Sequence, residues 1–145
     1  MKIVLQRVLS ASVSVEGNII GTIGPGYLLF VGLAAGDDEA TVRKLAVDVS
    51  KARLMSDDQG KMGINLRDSG GQALAVSQFT LLADFSKGNR PSFNGAAKPE
   101  VAKPLFDLFV QELSVLLGQP VPTGVFGADM KVELTNDGPV TVVLE

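Results

Sequence analysis

The sequence predicts an α/β fold in three layers, α/β/β: one mixed sheet, two main helices on one face of it, and a second β layer on the other. Three observations carry this expectation. Apolar and turn-forming segments alternate as two strands, two strand–helix units and about three further strands. The run Tyr27-Leu28-Leu29-Phe30-Val31-Gly32-Leu33 is continuously apolar, as in strands covered on both faces. Each helical segment carries a single apolar stripe, so the helices cover one face of the sheet and leave the other in need of cover, which a partner subunit could supply.

The elements follow in order. Ile3 to Val15 and Ile19 to Ile23 read as strands joined by the turn Glu16-Gly17-Asn18, a hairpin. Gly24-Pro25-Gly26 turns the chain into the central strand Tyr27 to Leu33. Asp37 or Asp38 caps a helix over Glu39 to Ala52, where Val42, Leu45, Ala46 and Val49 recur at helical spacing. Ser56 to Gly71, rich in Asp, Gly and Ser, is a long loop or irregular hairpin. Ala73 to Leu82 is a strand, and Ser86 to Ala97 leads into a second helix. Pro99 and Pro104 fit only near its first turns, and its stripe runs through Ala102, Leu105, Phe106, Phe109, Leu113 and Leu116 to a stop at Gly118 and Pro120. Strands return over Val121 to Phe126, Lys131 to Thr135 and Val140 to Leu144. No internal repeat is visible, and residues 1–145 are expected to form one domain.

Composition narrows the function. With 46% hydrophobic and 20% charged residues and no low-complexity tract, the whole chain is expected to fold. Gln6 and Arg7 break the apolar N-terminus, which spoils a signal-peptide core, and no apolar run is long enough to span a bilayer; a cytoplasmic protein without membrane contact is expected. There is no His and no Cys, which removes the commonest nucleophile–base pairs and the usual zinc ligands. Catalysis must then use hydroxyls, Lys, carboxylates, backbone amides or the substrate itself, and neither metal nor cofactor is expected. The net charge of -3 argues against a general nucleic-acid binder and against DNA as partner.

Local chemistry is concentrated in three places. Ser77-Gln78-Phe79-Thr80 ends an apolar strand with polar side chains; it reads as a site at a strand end, or as a strand leaving the core whose hydroxyls satisfy nearby backbone. Lys87-Gly88-Asn89-Arg90-Pro91-Ser92-Phe93 joins two cations to an aromatic, which suits a phosphate and a base, and reads equally as a solvated basic loop. Asn136-Asp137-Gly138-Pro139-Val140-Thr141 reads as a hairpin turn. Neither a P-loop nor a dinucleotide-binding glycine motif occurs, so NTPase, kinase and dehydrogenase readings lose support.

The blocks Gln6-Arg7-Val8, Ser77-Gln78-Phe79-Thr80-Leu81, Lys87-Gly88 with Arg90-Pro91-Ser92-Phe93, Thr123-Gly124 with Phe126-Gly127-Ala128, and Asn136-Asp137-Gly138-Pro139-Val140-Thr141 give the chain a specific likeness. In this order and over essentially its whole length, the chain resembles the D-aminoacyl-tRNA deacylases. The resemblance implies an enzyme of translation quality control, a carboxylic ester hydrolase that frees tRNA from a D-amino acid or from glycine. It implies a homodimer in which Gly138-Pro139, with a cis peptide bond, reaches from one subunit into the Ser77–Thr80 pocket of the other and excludes L-side chains. It implies a backbone oxyanion hole near Gln78 and Phe79, Thr80 placing substrate or water, and assistance from the terminal ribose 2′-hydroxyl. Ser77, Phe79, Phe126 and Met130 would line the pocket, with Lys87 and Arg90 as contacts for the tRNA. Lys61-Met62-Gly63 departs from the family's pattern, which has Asn in the third place. The alternative reading is a noncatalytic RNA-binding dimer module.

Overall fold

The first strand organises the molecule. In the computed structural model, which describes residues 1–145, β1 (Lys2–Val15) is paired along both edges. On one side β3 (Gly26–Gly32) runs antiparallel to residues Lys2 to Val8, and β2 (Asn18–Ile23) to residues Ala11 to Val15. On the other side the 14-residue β7 (Lys131–Leu144) runs antiparallel from Ile3 to Ser14. β6 (Gln72–Ser77) completes the sheet, parallel to β3, from Gly26 opposite Gln72 to Val31 opposite Ser77. The β1–β2 turn needs only Glu16 and Gly17, both at positive φ (51° and 80°), and Asn18 already pairs with Val15.

Helices α1 (Glu39–Lys51) and α3 (Pro99–Leu117) lie side by side on one face. Their stripes meet Ile3, Leu5, Tyr27, Leu29 and Val31 in a cluster of 20 buried residues. Phe109 is fully buried there, so truncating it to Ala should cost about 3–5 kcal/mol. Asp38 is the cap of α1 and accepts from the Thr41 amide at 2.9 Å. Asp37 does not cap the helix; its carboxylate accepts from the Ala34 amide and pairs with the Met1 amino group at 2.6 Å.

The opposite face is covered from within the chain. Val8, Ala11, Val13, Ile23, Leu28, Leu74 and Val76 form a second apolar cluster. β2 and β6 are separated by β1 and β3 in the sheet order, yet Gly21 of β2 lies against Leu74 of β6, so the sheet curls over on itself. The mixed α/β expectation therefore holds as one curled sheet with three helices. On this face the chain itself supplies part of the cover.

Several expected elements come out differently. Ser56 to Gly71 contains a small hairpin of β4 (Met55–Ser56) and β5 (Met62–Ile64), then a single helical turn α2 (Leu66–Ser69) capped by Asn65. The strand expected over Ala73 to Leu82 stops at Ser77: the Gln78 amide makes one last bond to the Val31 carbonyl, and Phe79–Leu82 winds into a 3-10 turn. Val121 to Phe126 is no strand. Pro120 and Pro122 have no amide to donate, and only Thr123 bridges, to Ala75. The largest difference lies at Asn136 to Thr141. Lys131 to Thr135 and Val140 to Leu144 are not two arms of a hairpin, because both pair with β1. Gln6 opposes Thr141 and Val8 opposes Asn136, so Asp137 to Val140 bulge outward over Arg7.

Candidate active site

The 3-10 turn after β6 is held close to β3. A Cβ on Gly32 would lie 2.7 Å from Leu82 Cδ2 and 2.9 Å from the Gln78 carbonyl, so only glycine lets the turn approach this strand undistorted. The start of the turn, Phe79, forms one wall of a cleft of about 560 Å³ together with the residues before it, and Thr80 is exposed just outside the lining. Ser77, Gln78 and Phe79 stand on that wall. Phe126 and Met130 stand on the segment leading into β7, Lys98 and Pro99 are at the start of α3, and Phe93 lies in the loop before it. The walls brace one another. Phe79 and Phe93 meet edge to face with centroids 5.0 Å apart, and Phe126 packs on the core residue Phe106 at 6.3 Å.

Polar groups on this wall are sharply divided in their availability. The Gln78 amide donates to the Val31 carbonyl at 2.8 Å. That overturns its expected part in a backbone oxyanion hole, because its hydrogen is committed to the sheet. The next two amides, of Phe79 and Thr80, open the 3-10 turn and meet no backbone or side-chain acceptor in the chain. The Gln78 side-chain amide donates to the Thr80 hydroxyl oxygen. This leaves the hydroxyl hydrogen free to donate outward. No carboxylate or amine touches Thr80, so nothing in the chain stands as a base to activate it.

Beyond the turn, the chain closes a loop. Asp84 and Ser92 exchange amide–carbonyl bonds of 2.9 and 2.8 Å, and the Asp84 carboxylate accepts from the Ser86 amide, which holds its carboxyl below the usual value. Lys87 and Arg90 are exposed on this loop, outside the cleft lining, with no carboxylate partner. Asp84 and Ser92 thus present two cations beside the cleft on a neck of two backbone hydrogen bonds.

Gly138 and Pro139 are not part of this cleft in the same chain. They form the exposed crest of the β7 bulge, and their peptide bond is cis. The base of the bulge is tied by Asn136, which donates to the Thr141 hydroxyl at 2.9 Å and accepts from the Val140 amide at 3.1 Å. Underneath, Arg7 is buried; it donates to the Asp137 carbonyl at 3.1 Å and the Leu54 carbonyl at 2.9 Å, and pairs with the Asp137 carboxylate at 3.5 Å. A Cβ on Gly138 would come within 3.0 Å of Arg7 Nη2, and the residue has φ +125°. Arg7 thus supports the bulge from below, and the sequence assigns it no role of its own. Its signal is a lone cation in an alternating apolar strand, a position that requires hydrogen-bond acceptors inside.

With this geometry established, comparison with known proteins decides the family. A family model described as D-Tyr-tRNA(Tyr) deacylase matches residues 4–145. The chain belongs to the D-Tyr-tRNA(Tyr) deacylase family. It is 52% identical over 145 residues to a D-aminoacyl-tRNA deacylase of Dechloromonas aromatica (strain RCB), covering all of this chain and 97% of that protein. Over the same 145 residues it is 54% identical to a D-aminoacyl-tRNA deacylase of Thermomicrobium roseum, 94% of which is covered. Among solved structures, the c-Myc DNA Unwinding Element Binding Protein superposes with a TM-score of 0.93 at 36% identity, over 100% of this chain and 98% of that one. A probable eukaryotic D-amino acid tRNA deacylase superposes with a TM-score of 0.85 at 17% identity, over 99% and 97% of the two chains, a likeness of fold alone. Family membership makes the chain an enzyme, a hydrolase of the D-aminoacyl-tRNA deacylase class, and a role in translation quality control fits that class.

Proposed function

We propose that the chain hydrolyses the ester joining a D-amino acid, or glycine, to the 3′ end of tRNA, and that it does so in the Ser77–Thr80 cleft as a homodimer in the cytoplasm. The observation that carries this reading is the pair of unengaged amides of Phe79 and Thr80 beside a hydroxyl held by Gln78. Two adjacent unengaged backbone donors suit the oxyanion of a tetrahedral intermediate, and removing one such donor typically costs about a hundredfold or more in rate. Water attacks the ester carbonyl carbon, the carbonyl electrons move to the oxygen facing these amides, and collapse breaks the bond to the ribose oxygen, which leaves with a proton as the free tRNA hydroxyl. The ribose 2′-hydroxyl assists the attacking water, and the Thr80 hydroxyl positions substrate or water as a donor. Ser77, Phe126 and Met130 shape the aminoacyl and adenosine space.

In this reading stereochemical rejection comes from Gly138-Pro139 of the partner subunit, inserted into the cleft so that an L-side chain meets backbone. The exposed bulge crest supports it. So does β7, a 14-residue strand with β1 on one edge and no strand on the other, an exposed edge of the kind that monomeric proteins usually shield. Glycine has no side chain to reject and is accepted. Release of tyrosine from D-tyrosyl-tRNA but not from L-tyrosyl-tRNA is the expected result; equal release from both, or tRNA binding that ignores the aminoacyl group with no hydrolysis, would overturn the reading. Pro139→Ala should relax the selectivity.

A further inference from the structure

The lysines and arginines fall into two populations. Those on the outer helix faces, such as Arg43, Lys44 and Lys103, are within ion-pair distance of carboxylates. Seven cations have no carboxylate partner: Arg67 stands alone at the end of α3, where it donates to the Leu116 carbonyl, and the other six form two groups. One is Lys87, Arg90 and Lys98 around the cleft. The other is Lys51, Arg53 and Lys61, at the end of α1 and on the β4–β5 hairpin, all exposed.

This second group sits beside the Gly138-Pro139 bulge. Arg7 joins the bulge to the Leu54 carbonyl, Leu54 follows Arg53, and the Arg53 guanidinium donates to the Gly63 carbonyl, which brings the hairpin and Lys61 to the same end of the molecule. Nearby acidic groups do not neutralise it. Asp57 is turned into the hairpin, accepting from the Gln59 and Lys61 amides at 2.9 Å each, and Asp137 is held by Arg7, which leaves Asp58 against three cations. In an isolated chain none of these residues lines the cleft. If the bulge enters the partner's cleft, both cationic groups flank one opening.

We propose that Lys51, Arg53 and Lys61 contact phosphates of the tRNA acceptor stem in trans, extending a track that begins at Lys87, Arg90 and Lys98 of the subunit whose cleft holds the ester. The proposal rests on the cross-subunit reading above. It explains how a chain of net charge -3 binds a polyanion: six of the seven cations without a carboxylate partner gather at the rim of the composite site, and the exposed paired ones lie elsewhere.

The test uses the full-length Lys51→Gln/Lys61→Gln protein with D-tyrosyl-tRNA and with D-tyrosyl-adenosine, which lacks the stem. The log–log salt slope of KM for the tRNA should become shallower by about 1.4–1.8, for two lost phosphate contacts, and the loss of kcat/KM on tRNA should exceed the loss on D-tyrosyl-adenosine. Lys44→Gln, a paired cation, should change neither. An unchanged slope, or equal losses on the two substrates, overturns the proposal. Pro139→Ala measured in parallel separates the two ideas: relaxed selectivity with an unchanged Lys51/Lys61 slope removes the proposal alone, whereas unchanged selectivity removes the cross-subunit placement and the proposal with it.

Discussion

Replacing Arg7 by Met tests how the Gly138-Pro139 bulge is held. The change keeps the aliphatic stem and removes two hydrogen bonds from a charged donor, to Asp137 and Leu54 carbonyls at 3.1 and 2.9 Å. Bonds from charged groups contribute about 1.5–3 kcal/mol each. The ion pair to Asp137 adds little, because that carboxylate side chain is 40% exposed and well screened. Water can reach part of what is left behind, so the lower end applies and a loss of about 3 kcal/mol is expected. With a urea dependence of about 2 kcal/mol per molar, the unfolding midpoint should fall by about 1.5 M. The Val140 amide, bonded to Asn136 within the bulge, should exchange its hydrogen faster, and discrimination between D- and L-tyrosyl-tRNA should drop more than the rate on the D-ester. A midpoint within about 0.3 M of the parent, near the limit of such a measurement, together with unaltered selectivity would refute the idea that Arg7 holds the bulge in place.

Other consequences follow from the same geometry. Gly32→Ala puts a methyl 2.7 Å from Leu82 and 2.9 Å from the Gln78 carbonyl; the turn must shift by tenths of an ångström, so kcat on D-tyrosyl-tRNA should fall by about tenfold or more with a stability loss of about 1–3 kcal/mol. Thr80→Ala should cost about 10- to 100-fold in kcat, the worth of one positioned hydrogen bond, and Thr80→Ser should recover most of it; a loss of about a millionfold would instead mark a nucleophile. With no His or Cys in the chain, kcat/KM between about pH 6 and 8 should show no inflection beyond that of the substrate's own α-amino group, and an inflection in this range that persists with an N-acetylated D-aminoacyl ester would contradict the mechanism. Acid stability should report on Asp38, whose carboxyl is lowered by the Thr41 amide first and the Thr41 hydroxyl second. Its contribution is fully present above the ordinary carboxyl value of about 4 and is lost as pH falls through the lowered folded value. Asp38→Asn keeps a capping oxygen and should flatten the thermal midpoint's decline over that window.

Much of the candidate site can be read from residues in a row. Ser77-Gln78-Phe79-Thr80 is legible as a polar strand end, and the two helices as stripes, because a period of 3.6 or an apolar run is a local property of the chain. The same holds for what composition excludes: without His or Cys, an ester hydrolase must use hydroxyls, Lys, carboxylates, backbone donors or its substrate. Other features are illegible for a physical reason, namely that they depend on which strand pairs with which. Asn136 to Thr141 has the residues of a hairpin turn, and its neighbours alternate as hairpin arms do. Only β1, long enough to pair with both arms on the same edge, turns the segment into a bulge with Arg7 beneath it. The amides left unengaged shift by one residue on similar grounds. Sequence marks the neighbourhood of Gln78 and Phe79, but whether an amide is spent or free is decided by Val31, 47 positions away from Gln78, which takes the Gln78 hydrogen and leaves those of Phe79 and Thr80 unengaged. Local order thus determined the class of chemistry and most of its residues, and long-range strand pairing decided which of their hydrogen bonds remain available to do it.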